Sequence, residues 1–275
     1  MLAALLIVFR EVLEAGLIVG IVLAATEGVR GRGRWIAAGV AGGLAGAGLV
    51  ALFAQRLSEA FAGSGQELFN AAILLAAVVM LGWHTVWMAR HAREMTGEMK
   101  ALGRAVIAGD KTLSAMGLVV AVAILREGAE VVLFLYGIAA SGSAPGAMLA
   151  GGAGGIALGA ALSWLIYRGL LAIPTGKLFA VTNGLLSLLA AGMAGQAAVY
   201  LVKAGVAPSL GDEVWDTSRV LADDSIPGRA LHAVAGYSDR PMGVQILVYL
   251  TVLAVLLALS RLAGRAPAPA RASPA

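Results

Sequence analysis

The chain contains no cysteine. Disulfides, thiolate metal sites and redox dithiols are excluded, and with them soft-metal transport through cysteine; methionine-based sites stay open. Charge is scarce. Only 13% of the 275 residues are Asp, Glu, Lys or Arg, against about 25% in soluble domains. Histidine numbers three, and no Glu-x-x-His occurs. An intramembrane di-iron enzyme needs that pair on its helices and is disfavoured. A haem carrier is disfavoured too, since His84 is the one histidine inside an apolar run. Met1 leads straight into Leu2-Ala3-Ala4-Leu5 with no basic segment before it, so no cleaved leader is expected.

What is abundant is apolar sequence: 60% hydrophobic residues and 37 glycines. The chain reads as an all-α polytopic membrane protein, a single bundle surrounded by the lipid bilayer, with no nucleic-acid partner. Seven spans are expected at about 2–25, 35–54, 68–89, 113–139, 147–172, 178–202 and 242–262. Each is long enough to cross a hydrocarbon core of roughly 30 Å. Lys and Arg crowd the first, third and fifth connections and the tail (Arg30, Arg32, Arg34; Arg90, Arg93, Lys100, Arg104, Lys111; Arg168, Lys177; Arg261, Arg265, Arg271). The other connections hold only Arg56, Lys203, Arg219, Arg229 and Arg240. The positive-inside rule then puts the N-terminus outside and the C-terminus in the cytoplasm. The third connection repeats Met95, Met99, Leu102 and Val106 at helical spacing, which predicts an amphipathic helix lying against the membrane. His91 and Glu94 there read as a solvated helical face before they read as metal ligands. The sixth connection, about 204–241, is the large exterior segment, and its Asp212, Glu213, Asp216, Asp223, Asp224 and Asp239 would concentrate cations if they line a mouth. The tail from 264, rich in Ala and Pro, reads as disordered.

Against this background two stretches stand out, Arg10-Glu11-Val12-Leu13-Glu14 in the first span and Arg126-Glu127-Gly128-Ala129-Glu130 in the fourth. A charge at the bilayer centre costs about 2.5–3.5 kcal/mol on the insertion scale, so six left unpaired would cost on the order of 15–20 kcal/mol. Helical spacing puts Glu11 with Glu14, and Glu127 with Glu130, on common faces, and lets Arg10 reach Glu14 and Arg126 reach Glu130. The motifs lie 116 residues apart. Ala41-Gly42-Gly43-Leu44-Ala45 matches Ala153-Gly154-Gly155-Ile156-Ala157 at an offset of 112, and Asn70 and Met80 match Asn183 and Met193 at 113. The nearly constant offset predicts a repeat of three spans, about 1–112 and 113–203, followed by a seventh helix at 242–262. Three spans per copy make the copies inverted, and inverted repeats place a shared site near the midplane. The glycines at every fourth position provide close helix contacts, either within one chain or between copies in a homo-oligomer.

Four carboxylates and two guanidiniums leave a net charge of −2, room for a di- or trivalent cation. Carboxylate oxygens are hard ligands that suit Fe³⁺, Mn²⁺, Mg²⁺ or Ca²⁺. The arginines would weaken binding enough to permit release. The competing reading is two structural ion-pair clusters that pin helices together.

Arg-Glu-x-x-Glu in the first and fourth of seven spans resembles the oxidase-dependent iron permease family, which includes the yeast high-affinity permease and the bacterial EfeU-type permeases. The family pattern is Arg-Glu-Gly-Leu-Glu. The chain departs from it at Val12, where Gly is usual, and at Ala129, where Leu is usual. Neither is a ligand position, but close backbone approach at Val12 is placed in question. The resemblance extends to Trp87-Met88-Ala89-Arg90-His91, to 210–218, and to Gly236-Tyr237 and Arg240-Pro241. It implies ferric iron uptake in the inner membrane, no permanently bound cofactor, and a separate extracytoplasmic iron oxidase or iron-binding protein as partner. It also implies that Glu11, Glu14, Glu127 and Glu130 are the essential carboxylates, and that acidic exterior residues such as Asp212, Glu213 and Asp216 meet the ion first. His84 reads as a path ligand, a proton relay or a hydrogen-bonded bundle histidine. Asn70, Asn183 and Gln196 read as path-lining groups or as polar links across helices. Transport of Pb²⁺, Mn²⁺ or Fe²⁺ on the same scaffold, and a structural subunit, are the alternatives.

Overall fold

The long apolar stretches fold as helices. A computed structural model describes residues 1–60, 66–170 and 175–265, with 57–60, 88–95, 175–179, 233 and 263–265 described in backbone only. The elements in chain order are α1 (Leu2–Ala25), α2 (Arg32–Ala60), α3 (Gln66–Ala108), α4 (Leu113–Ala140), α5 (Pro145–Tyr167), α6 (Thr175–Lys203), α7 (Ile226–Ala235) and α8 (Gly243–Arg265). No strand occurs among the described residues. Five segments, in α2, α3, α5, α6 and α8, are long and apolar enough to cross a membrane. With its length and composition, the chain is a polytopic all-α membrane protein. α1 and α4 match these segments in length, but they carry the motif charges.

Helix ends are set by local chemistry. The Thr112 hydroxyl accepts from Ala115 N–H at 3.2 Å and starts α4. Pro145 opens α5, where its missing N–H costs nothing.

α1 packs chiefly on α5 and α4 chiefly on α2, while α3 packs on α6. The first two crossings are built alike. Gly155 of α5 lies against Leu5 and Val8 of α1, so that an added Cβ would stand 2.8 Å from Leu5 O. Gly43 of α2 lies against Ala121 and Ile124 of α4, where a Cβ would stand 2.7 Å from Ala121 O. Leu5 and Ala121, and Val8 and Ile124, are pairs at the motif offset of 116, and Gly43 and Gly155 are a pair at 112. The glycine faces are thus used within one chain. At the next turn the small residue changes sides. Gly159 faces Val12 in one crossing, and Gly128 faces Ala47 in the other. The question raised by Val12 is answered across the interface, where Gly159 supplies the room that the motif's own glycine supplies in α4.

Two features depart from the sequence reading. α3 is one 43-residue helix, about 65 Å long at 1.5 Å per residue, rather than a span followed by a separate surface helix. The apolar stripe of its C-terminal turns packs against protein. Leu102 and Val106 are buried with Val22, Ile36, Met116, Val120 and Ile124 at one end of the bundle. Gly103 permits the approach, since a Cβ there would clash with Ala25. Protein was available to cover the apolar stripe, and periodicity alone does not say what covers a stripe. The side chains of His91 and Glu94, and the tail beyond Arg265, lie outside the described residues.

The second departure is α7, a helix within the sixth connection. Its signals are local: the Ser225 hydroxyl accepts from Gly228 N–H at 3.0 Å, Pro227 sits in the first turn, and Gly236 ends the helix at φ 67°. Gly236 also meets Gly192 of α6 backbone to backbone, so a side chain at either position would separate the two elements.

Candidate metal centre

The paired motifs meet. Glu11, Glu14 and His84 each place a ligand atom within 4.8 Å of the others, and so do Glu11, Glu127 and Glu130. Glu11 belongs to both groupings and links them. α1 and α4 each present two carboxylates on one face, because residues three apart share a helix side. α3 crosses beside them and adds His84.

Arg10 is fully buried, with Nε 2.9 Å from Glu14 Oε1 and Nη1 3.4 Å from Glu11 Oε1. Arg126 Nε lies 3.2 Å from Glu130 Oε1 and 3.7 Å from Glu127 Oε1. Its side chain is 38% exposed and its guanidinium sits 4.5 Å from the ring centre of Trp87. His84 spans the two motifs, with Nε2 3.5 Å from Glu14 Oε2 and Nδ1 against Glu130 Oε2. Glu11 Oε2 and Glu127 Oε2 are buried without a hydrogen-bond donor. Ionised carboxylates can only accept, so such oxygens gathered in a core are satisfied by a cation or a proton.

The other residues singled out from sequence lie elsewhere. Asp212, Glu213 and Asp216 are exposed and outside any helix. Asp216 pairs with Arg240 at 3.1 Å. Its carboxyl is held below the usual range first by the Ser218 hydroxyl and amide, then by Arg240. Asp223 and Asp239 exchange hydrogen bonds, each accepting from the other's backbone N–H, which ties the sixth connection to itself. Burial pushes the Asp223 carboxyl up. Gln196 lines a small cavity of about 30 Å³ with Ser141, Ser143, His232 and Gln245, below α7. Asn183 Oδ1 is buried without a hydrogen-bond partner, and its backbone carbonyl accepts from Ser187 at 2.8 Å. Asn70 is half-buried near the start of α3.

Sequence reasoning placed His84 in a span without bringing it to either motif. The available clue was a lone histidine in an apolar helix, which says only that a polar partner exists.

A multi-pass helical bundle that gathers carboxylates and guanidiniums in its core has the donor set of a membrane permease for metal cations. The chain is a member of the FTR1 iron permease family, which matches residues 1–265. It is 31% identical over 281 residues to the ferrous iron permease EfeU of Shigella sonnei (strain Ss046), covering 99% of this chain and 100% of that protein. The same identity and coverage hold for the ferrous iron permease EfeU of Escherichia coli O157:H7. The ferrous iron permease EfeU of Yersinia pestis is 29% identical over 272 residues, covering 98% and 96% of the two chains. No solved structure matches the chain. The protein is an iron permease, embedded in the membrane by multiple helices.

Proposed function

We propose that the protein carries Fe³⁺ into the cytoplasm through the centre formed by Glu11, Glu14, Glu127 and Glu130, with Arg10 and Arg126 balancing charge. The observation that carries this reading is the convergence of both motifs on ligand groupings that share Glu11. Four hard oxygen donors suit a hard trivalent ion. Two guanidiniums close by keep the site from becoming a trap. Inverted repeats at about 1–112 and 113–203, a seventh helix at 242–262, an outside N-terminus and a cytoplasmic C-terminus complete the proposal. The matched crossings of α1 on α5 and α4 on α2 support the repeat. An extracytoplasmic iron oxidase or iron-binding protein would supply the ion. Asp212, Glu213 and Asp216 on the exterior connection would be the first carboxylates it meets.

The experiment is uptake of radioactive iron by cells expressing the protein, compared with Glu14→Gln and Glu130→Gln. Both variants should reach the membrane and accumulate no iron above background. Undiminished uptake in both would remove the centre from the path.

A second reading, carriage of Fe²⁺ itself, is favoured by the ferrous iron permeases to which the chain is similar. Uptake measured anaerobically with excess ascorbate separates the two. Transport of Fe³⁺ fails under those conditions, and transport of Fe²⁺ persists.

A further inference from the structure

The two ligand groupings differ in chemistry. Glu11, Glu127 and Glu130 offer oxygen alone, whereas Glu11, Glu14 and His84 include an imidazole nitrogen. The difference lies in the third helix of each half. At the offset of 113 that relates Asn70 to Asn183 and Met80 to Met193, His84 corresponds to Ala197. Ala197 is completely buried in the apolar cluster with Leu189, Met193 and Ala194. One half of the centre therefore has a donor that the other half has no means to supply.

His84 is 4% exposed. Both ring nitrogens face carboxylates of the centre, Glu14 on one side and Glu130 on the other. Nε2 makes no hydrogen bond and lies 3.5 Å from Glu14 Oε2, and the ring offers a ligand atom to the grouping with Glu11 and Glu14. A cation held by those two carboxylates comes within reach of that nitrogen.

We propose that His84 is a metal ligand of the centre, giving the position shared with Glu11 and Glu14 a mixed nitrogen and oxygen character that selects transition-metal cations over Mg²⁺ and Ca²⁺. The proposal rests on the reading of the motifs as the ion path. The selectivity follows from ligand preference. Imidazole suits iron and other first-row transition ions, while Mg²⁺ and Ca²⁺ favour oxygen. The Glu11, Glu127 and Glu130 position lacks this filter. An ion passing across Glu11 would move between a selective position and an all-oxygen one.

The test uses Mn²⁺ bound to the purified full-length protein in lipid nanodiscs, observed by pulsed electron paramagnetic resonance. The protein should show a nitrogen coupling of imidazole type, and it should change to the ¹⁵N pattern when histidine alone is labelled. That labelling needs no substitution and so does not depend on a variant folding. His84→Gln should abolish the coupling, weaken Mn²⁺ binding tenfold or more, and let Mg²⁺ compete at lower excess. Mn²⁺ binding that depends on Glu11 and Glu14 but shows no histidine coupling would overturn the assignment of His84 and leave the carboxylate path standing. Mn²⁺ binding indifferent to Gln substitution at all four glutamates would overturn both.

Discussion

The two Arg-Glu-x-x-Glu motifs have the same spacing and sit in different surroundings. Arg10 has no exposed surface, enclosed where α1 is packed by α3, α4, α5 and α6. Arg126 keeps 38% of its side chain exposed and stacks on Trp87. Arg10 holds its carboxylates in a closed core, where a removed partner leaves an unpaired charge. Arg126 holds its own on an open flank, where the surroundings share the load. Recurrence of a motif repeats the charged residues and their spacing along a helix. It does not copy the neighbours, because each helix is covered by a different set of side chains.

The largest effect should come from the carboxylates, where the halves are expected to be equal. Glu14→Gln and Glu130→Gln should each abolish iron uptake, and a variant of one half that transports normally would break the equivalence. Next in size is the contrast between the arginines. Arg10→Met should cost about 3–5 kcal/mol, since it leaves two buried carboxylates without their cation. Thermal unfolding in detergent reads this directly. Arg126→Met should cost about 1 kcal/mol, the scale of a partly exposed ion pair and a cation–π contact. Equal losses would mean that the exposed flank of Arg126 is covered in the membrane.

The glycine exchange gives a subtler comparison. Gly159→Ala should cost about 1–3 kcal/mol by overpacking against Val12 and the Phe9 carbonyl. Adding Val12→Gly recreates the arrangement of Ala47 and Gly128 and should recover part of the loss. The double-mutant cycle should then show a coupling of at least about 0.5 kcal/mol. Additive losses would mean that the two crossings are not equivalent. The smallest effect is expected from Trp87→Leu, about 0.5–1 kcal/mol from the lost cation–π contact. Uptake should be nearly unchanged, because Arg126 keeps its contacts with Glu127 and Glu130.

Much of this architecture could be read along the chain. Apolar length located the helices, and α1 and α4 match their expected limits within a residue. A spacing of three put both carboxylates of each motif on one helix face, and the nearly constant offset anticipated two crossings of the same build. Other features were present locally but were not weighed. Ser225, Pro227 and Gly236 mark the start and end of α7 as clearly as capping residues do anywhere.

What the sequence by itself determined is the long apolar helices and the charges carried within them. These follow from local rules, the 1.5 Å rise, the 3.6-residue turn and the cost of charge in an apolar medium. Only the tertiary structure decided that the two ligand groupings share Glu11, that His84 arrives between the motifs, that Arg10 is sealed while Arg126 is open, and that the end of α3 is covered by protein. Each depends on which helix lies beside which, a matter of side chains from distant parts of the chain meeting at the same depth. No periodicity within one helix contains that information.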